Sequence, residues 1–474
     1  MLKFPHRLTA AIAPALLLAG IVSAAGPASA STSTAPAACP AAIVPGDTVL
    51  CGSLTDGATY LIEVPAAWNH DLFLYSHGYV APGSSNPAQD VGDPATGAWL
   101  LTHGFALAGS SYATTGWAIA QALPDQISTL DLFDQQVGDP AQTIAWGHSL
   151  GGIITAGLIQ SYPDRFDAAL PMCGVLSGGV ATWNTALDAA FAFQQLAYPS
   201  TLPPLQVVHI TNPLANLQNA EQAVAADQAT PQGQARLALA AALGDTPGWF
   251  TTGSPEPGPT DYAAQEANQF LWDTKVDFPF IFAFRAELEA RAGGNPSWNT
   301  GVDYYRQLAR SADRAEVVAL YQAAGLNLNA DLRTLQQATR ISADPAAVSY
   351  LTSNITFNGQ ISVPVLTMHT TGDGLVVPEN ERAYADVVRQ AGNGGLLRQV
   401  YVSRAGHCAF TPAETITAVQ VLLHRLSTGH WDSDSLSPAS MNAAAATLPS
   451  VDNPLPPAFI QFKPTRYLRP FDAP

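Results

Sequence analysis

A serine flanked by glycines stands between an apolar strand and an apolar helix in this chain. The run Thr143 to Trp146 predicts a strand, Gly147-His148-Ser149-Leu150-Gly151 follows, and Ile153 to Ile159 predicts a helix directly afterwards. Small residues two positions to either side are what a sharp strand-to-helix turn requires, since neighbouring backbone passes close to it. Such a turn places the serine hydroxyl above the end of a sheet, beside the first free N–H groups of the helix. This feature predicts a nucleophile, an oxyanion site and a sheet topology together.

Strand-like and helix-like patterns alternate on both sides of the turn, which is typical of a mostly parallel sheet with crossover helices. The predicted strands cover residues 60–64, 72–75, 105–108, 143–146, 166–172, 363–368 and 396–402. Between them, helical patterns fill a stretch that is too long to be a loop. Within it, Asp313 followed by Glu316 predicts a helix that begins with a capping box. We expect a signal segment at 1–30, an α/β core at 31–178 and 355–432, a helical cap at 179–354, and a Pro/Ala-rich extension at 433–474.

The N-terminus has the pattern of a secretory signal peptide. Lys3 and Arg7 precede an apolar run, and Ala28-Ser29-Ala30 fits the small-x-small cleavage rule, so cleavage is expected after Ala30. A membrane anchor is disfavoured because Ser31 and the residues after it give no anchoring flank. Removing this segment changes the formal net charge from −17 to −19, which disfavours nucleic acid and anionic membrane surfaces as partners. The sequence therefore predicts an exported protein without a stable membrane anchor.

A serine hydroxyl needs a base, and the base needs an orienting carboxylate. Asp373 lies between two glycines directly after the predicted strand 363–368, and His407 follows the predicted strand 396–402. Both therefore come after the carboxyl end of a strand, as Ser149 does. Because catalytic groups gather at that edge of a parallel sheet, these three side chains are candidates for one site.

The order Ser149, Asp373, His407, with its strand–turn–helix context, resembles the α/β-hydrolase family. The resemblance implies that Ser149 is the nucleophile, His407 the general base and acid, and Asp373 the carboxylate that orients His407. It also implies two backbone oxyanion donors, the N–H of Leu150 and that of Tyr79, which follows His77-Gly78 after an earlier strand. The family often carries a helical cap where residues 179–354 stand, and no metal or other cofactor is expected.

Four cysteines in an exported chain predict two disulfides, for which three pairings exist. Cys39 and Cys51 are close in sequence, which leaves Cys173 and Cys408. A Cys173–Cys408 bond would tether the loop of the proposed base, and a free thiol at Cys408 is the alternative. Fungal tannases and feruloyl esterases resemble this arrangement, but they carry a cysteine immediately before the nucleophile, where this chain has His148. Neither pair has the spacing of zinc ligands.

The residues predict a serine hydrolase that cleaves carboxylic esters through an acyl-enzyme. An amidase or peptidase is the alternative, for example one acting on aromatic acyl amides, because the same three residues serve both. A non-catalytic binding protein on a hydrolase scaffold is a remote third hypothesis, since no member of the triad is replaced. The partner is then a small-molecule or polymeric ester or amide, and the pattern carries no indication of oligomeric state. Most aromatic residues of the insertion are expected to form its core, and some of them to line the substrate pocket: Trp183, Trp249, Trp272, Trp298, Phe270, Phe278, Phe280 and Phe284.

Overall fold

A nine-stranded sheet forms the centre of the computed structural model, which describes residues 39–449 and 454–469; the predicted signal segment 1–30 lies outside the described residues. The strands are β1 (Thr48–Ser53), β2 (Thr59–Val64), β3 (Asp71–Ser76), β4 (Ala106–Ser110), β5 (Gln142–His148), β6 (Ala168–Met172), β7 (Val365–Gly372), β8 (Leu397–Ala405) and β9 (Phe459–Ile460). They are ordered β1-β2-β4-β3-β5-β6-β7-β8-β9. Strands β3 to β8 are mutually parallel, whereas β1, β2 and β9 pair antiparallel at the edges. The predicted α/β fold with a mostly parallel sheet is confirmed.

Helices cover both faces of this sheet. Those packed on it are α1 (Pro94–Thr102), α2 (Ile119–Gln136), α3 (Leu150–Ser161), and, later in the chain, α13 (Glu379–Gln390), α14 (Pro412–Thr428) and α15 (Pro438–Ala445). Side chains alternate along each strand, so Leu72 and Leu74 pack with α2 and α3, whereas Phe73 and Trp146 pack with α1 and α14. No helix in the described ranges is long and apolar enough to span a membrane.

A separate set of helices lies in the chain between β6 and β7. It comprises α4 (Gly179–Leu196), α5 (Pro213–Gln228), α6 (Pro231–Gly244), α7 (Tyr262–Trp272), α8 (Arg285–Ala292), α9 (Tyr304–Arg310), α10 (Arg314–Ala323), α11 (Leu328–Gln337) and α12 (Pro345–Asn354). Two π-helical turns, Asp273–Asp277 and Phe280–Phe284, join α7 to α8. These helices, which we call the cap, bury an apolar core of their own that includes Phe193, Leu239 and Phe282.

The predicted capping box at Asp313 is wrong. The Asp313 side chain accepts no cap hydrogen bond at the start of α10. Glu316 is buried instead and accepts a hydrogen bond from Gln269 of α7. The Glu316 carboxylate therefore contacts a neighbouring helix, whereas the local pattern predicted that it caps the start of α10.

Candidate active site

Ser149 occupies the turn between β5 and α3, with φ 59° and ψ −121°, a conformation that is rare for any residue except glycine. A Cβ on Gly147 would lie 2.4 Å from the carbonyl oxygen of Ser76, and one on Gly151 would lie 1.8 Å from it. Both positions therefore require glycine for the turn to pack against β3. The Ser149 N–H donates to the carbonyl of Met172, 3.0 Å away, which ties the turn to β6.

The structure brings Ser149, His407 and Asp373 together in one hydrogen-bonded chain. The Ser149 Oγ lies 2.7 Å from His407 Nε2, and His407 Nδ1 lies 2.7 Å from Asp373 Oδ2. The other oxygen of Asp373 accepts from the N–H groups of Leu375, at 3.1 Å, and Val376, at 3.0 Å. Burial opposes ionisation of Asp373, but His407 and a second imidazole hold the pKa of this carboxyl below its usual range. The carboxylate is therefore charged at neutral pH and can orient His407.

Two cap tryptophans pack against the loop that carries Asp373, one on each side of it. A Cβ on Gly374 would lie 2.5 Å from the ring of Trp272, and one on Gly372 would lie 3.1 Å from the ring of Trp249. The two tryptophans are linked, since the Trp272 indole N–H donates to the Trp249 carbonyl at 2.9 Å. The glycines that flank Asp373 thus make room for the cap beside the carboxylate.

The loop that carries His407 is anchored by a buried ion pair. Arg404, at the end of β8, lies 2.5 Å and 3.0 Å from the two carboxylate oxygens of Glu414 in α14. The same guanidinium donates to the carbonyl of Ala409 at 2.8 Å, inside the loop. Glu414 also forms a capping box with Thr411 at the start of α14. These bonds hold both ends of the loop and so hold the imidazole in place.

Both candidate disulfides are present. Cys39 is bonded to Cys51, and Cys173, directly after β6, is bonded to Cys408. The Sγ of Cys408 lies 3.4 Å from His407 Nε2, so the second disulfide borders the imidazole. Cys408 is not a free thiol, and no thiol remains free in the part of the chain that the structure describes.

The loop after β3 lies against Ser149. A Cβ on Gly78 would be 3.4 Å from the Ser149 Cβ, and Tyr79 and Leu150 line the same cavity as the serine. Within the described residues, neither the Tyr79 N–H nor the Leu150 N–H has a backbone acceptor. Two unpaired N–H donors beside a serine hydroxyl are suited to hold an oxyanion.

His77 and His148 support the site rather than enter the proton chain. The His77 ring stacks on Tyr112, with centroids 4.0 Å apart, and its Nε2 lies 3.1 Å from the carbonyl of Ser111. His148 stands where the tannase-like enzymes have a cysteine, and its Nδ1 lies 3.1 Å from the hydroxyl of Tyr75. His77 therefore contacts backbone near Ser149, whereas His148 contacts a side chain of β3.

A cavity of about 100 Å³ lies in front of Ser149 under the cap. Its walls include Trp117 from the core together with Trp183 and Phe280 from the cap. Of the predicted aromatic candidates, Trp183 and Phe280 line the cavity, whereas Trp249 and Trp272 pack on the Asp373 loop. The walls are mostly apolar and aromatic, so the cavity suits an apolar acyl or leaving group.

Sequence reasoning missed three acidic or basic side chains near this site. Asp273 and Asp277, on the first π-helical turn, line the cavity and are more than nine-tenths buried. His369, on β7, is fully buried behind Asp373. The spacing of His369 to Asp373, four residues across a strand end, was a usable signal for the last of these.

Comparisons with known proteins identify several to which this chain is similar. The model of the prolyl oligopeptidase family matches residues 112–230, which include Ser149. An o-phthalyl amidase from Xanthobacter agilis is 30% identical over 431 residues, which cover 83% of this chain and 90% of that protein. Among solved structures, an esterase from Aspergillus oryzae is 15% identical, with 81% of this chain and 80% of that one covered and a TM-score of 0.42. A rice cell wall degrading esterase from Xanthomonas oryzae is 13% identical, with 82% and 90% covered and a TM-score of 0.36.

The relationship to the amidase extends over 83% of this chain and 90% of that protein. With the parallel sheet and the strand–serine–helix turn, it places the chain among serine hydrolases. The protein belongs to the α/β-hydrolase superfamily, as an esterase or amidase-like member of the family that includes the o-phthalyl amidase.

Proposed function

We propose that this protein hydrolyses acyl compounds through a covalent acyl-enzyme on Ser149, with His407 as general base and acid and Asp373 as the orienting carboxylate. The observation that carries the proposal is the unbroken chain of two 2.7 Å contacts from Ser149 to Asp373. It opens onto a cavity that Tyr79 and Leu150, the proposed oxyanion donors, also line. Nucleophile, base, orienting group and oxyanion donors are thus within one site.

The geometry supports the following steps. As the Ser149 Oγ bonds to the carbonyl carbon, its proton passes to His407 Nε2, and the carbonyl oxygen becomes an oxyanion held by the N–H groups of Tyr79 and Leu150. His407 then gives that proton to the leaving nitrogen or oxygen, and the bond from carbon to the leaving group breaks. Water next gives a proton to His407 and attacks the acyl carbon. Return of the proton to the Ser149 Oγ releases the carboxylic acid.

Amide bonds of an aromatic acid are the first candidate for the bond cleaved. The amidase relationship supports this candidate, and so does the aromatic lining of the cavity. Carboxylic esters, the first expectation from the residues alone, are the second candidate, because the same acyl-enzyme serves both. The two differ in the proton that His407 must give, since an amine leaves only when it is protonated.

The experiment compares 4-nitrophenyl benzoate with benzoyl-4-nitroanilide on the purified full chain. Ser149→Ala is expected to lower kcat/KM for both by roughly 10⁴-fold or more, because the acyl-enzyme can no longer form. Ser427→Ala, at an exposed position of α14, is the matched control and should leave both rates unchanged. An amidase is supported if the rate enhancement over the uncatalysed reaction is at least as large for the anilide as for the ester. Turnover of the ester alone supports an esterase. Unchanged turnover in the Ser149 variant would refute the proposal.

Export from the cytoplasm belongs to the same proposal. The pattern of residues 1–30 supports a cleavable signal, with the mature chain beginning at Ser31. Two disulfides support an oxidising compartment, because such bonds persist where thiols are not kept reduced. The bond beside His407 would then form only after export.

A further inference from the structure

A second buried imidazole lies on the far side of Asp373 from His407. The His369 side chain on β7 is 0% exposed, and Glu381, on α13, is 1% exposed. His369 Nδ1 lies 3.0 Å from Glu381 Oε1, and Nε2 lies 2.7 Å from the carbonyl oxygen of Val376. The same Nε2 is 3.6 Å from Asp373 Oδ2, the oxygen that accepts from His407. The chain of polar contacts that begins at the serine therefore continues past the orienting carboxylate.

The partners of His369 determine its protonation. Glu381 Oε2 accepts from the Gln399 amide at 2.6 Å and from the Thr367 hydroxyl, which leaves Oε1 to face His369 Nδ1. Both ring nitrogens of His369 thus face groups that can only accept, a carboxylate on one side and a backbone carbonyl on the other. A ring that donates from both nitrogens is an imidazolium. Two carboxylates beside it, Glu381 and Asp373, offset the cost of burying that charge.

We propose that His369, held as a buried imidazolium by Glu381, is a positioning residue that keeps Asp373 ionised and sets the lower pH limit at which His407 acts as a base. This inference rests on the proposed function. The positive charge on His369 lies 3.6 Å from Asp373 Oδ2 and partly neutralises the carboxylate that faces His407. The carboxylate then stabilises positive charge on His407 less strongly than an uncompensated aspartate would.

Two tyrosines and one acid are further titratable groups that face Glu381 and Asp373 in the described part of the chain. Glu381 faces Tyr384 of α13 and Tyr401 of β8, both of which burial keeps neutral by raising the pKa of each hydroxyl. Asp277 of the cap is the further acid near Asp373, and burial raises the pKa of its carboxyl as well. Among the described residues that lower the pKa of Asp373, His369 lies on the side opposite His407.

The test measures kcat/KM against pH with 4-nitrophenyl benzoate. His369→Gln removes the charge, and Glu381→Gln removes the carboxylate that holds it. Each is expected to move the acid limb upward by about one pH unit, while the rate on the alkaline plateau stays within about threefold. The double variant should shift no further, because either change alone abolishes the same charge. Thr367→Val is the matched control: it removes one hydrogen bond to Glu381 without changing charge, and its acid limb should stay in place.

A second measurement keeps the proposal testable if the variants do not fold. In the ¹⁵N NMR spectrum of the intact protein, both ring nitrogens of His369 should have imidazolium shifts at pH 8, whereas those of His407 should not. A neutral His369 ring at that pH overturns the proposal, and so does an acid limb that stays in place in both folded glutamine variants. An inactive protein with a protonated His369 would instead count against the proposed function.

Discussion

Each candidate catalytic side chain is held by a partner on its far side. Ser149 is placed by glycines that let the turn pack against Ser76, and His407 is oriented by Asp373. Asp373 in turn faces His369, which is held by Glu381. Groups fixed in this way do not need to reorganise as charge develops, which is the condition for electrostatic stabilisation of a transition state.

At the residue scale, the charge of Asp273 is expected to disfavour substrates with an anionic acyl group. Asp273 and Asp277 line the cavity, and no lysine or arginine is among its described lining residues. Burial, with a smaller contribution from Glu266, raises the pKa of Asp273 to about 8. Asp273 is therefore neutral below that pH and repels an anion above it. Between pH 7 and pH 9.5, kcat/KM for 2-carboxybenzoyl-4-nitroanilide should fall roughly tenfold relative to the uncharged benzoyl-4-nitroanilide.

Asp273→Asn supplies the control for this prediction. The amide keeps the size of the side chain and cannot ionise, so the ratio of the two substrates should become almost independent of pH. A ratio that is already flat in the unchanged protein would show that the cavity charge does not affect the acyl group.

The residues that sequence reasoning found are those with a strong local context. Ser149 has a strand before it and a helix after it, and His407 has a strand before it and the Thr411 cap after it. Asp273 carries no such mark, because a π-helical turn and the folded cap bring it to the cavity. The hydrogen bond between His369 and Glu381 depends on how α13 packs on β7, and no local sequence pattern indicates that packing.

The same division holds at the scale of elements. Strands with continuous apolar runs, such as β5 and β6, were predicted within a few residues. The edge strands β1 and β9 were not, because short antiparallel edges are defined by a distant partner rather than by their own pattern. Local signals thus located the centre of the sheet, and long-range pairing determined its edges.

Two substitutions that weaken the start of α14 should differ strongly in their effect on the free energy of unfolding. Arg404→Ala leaves Glu414, which is 0% exposed, as a buried charge without its partner. The free energy of unfolding should fall by about 3–5 kcal/mol. Thr411→Ala removes only the cap hydrogen bond at the same helix end and should cost about 1 kcal/mol. Urea denaturation followed by circular dichroism measures both.

Activity separates local from global effects of these two variants. Because Arg404 also binds the Ala409 carbonyl in the His407 loop, its variant should lose kcat even where it remains folded. Thr411→Ala should keep most of its kcat. Equal losses of stability in the two variants would mean that the ion pair contributes no more than the cap.

At the scale of the whole molecule, two connections link parts of the chain that are distant in sequence. The Cys173–Cys408 bond links the strand before the cap to the loop after β8, across a sequence separation of 235 residues. The second connection is the segment 459–469, which begins as β9 on β8. From there the Tyr467 hydroxyl donates to Ala242 of α6 at 2.7 Å, and Arg469 lies 2.9 Å from Asp188 of α4. This C-terminal segment crosses from the sheet to the cap.

Leu468 of this segment lines the substrate cavity between those two contacts. A chain truncated after Lys463 should therefore lose part of the cavity wall and the attachment of α4 and α6, but none of Ser149, Asp373 or His407. We expect KM for benzoyl-4-nitroanilide to rise about tenfold, kcat to change less than threefold, and the Tm to fall by several degrees. A chain truncated after Arg469 keeps all three contacts and is the matched control. If both truncated chains keep the KM and Tm of the full chain, the segment does not hold the cap over the site; if kcat falls as far as KM rises in the shorter one, it acts on the catalytic groups instead.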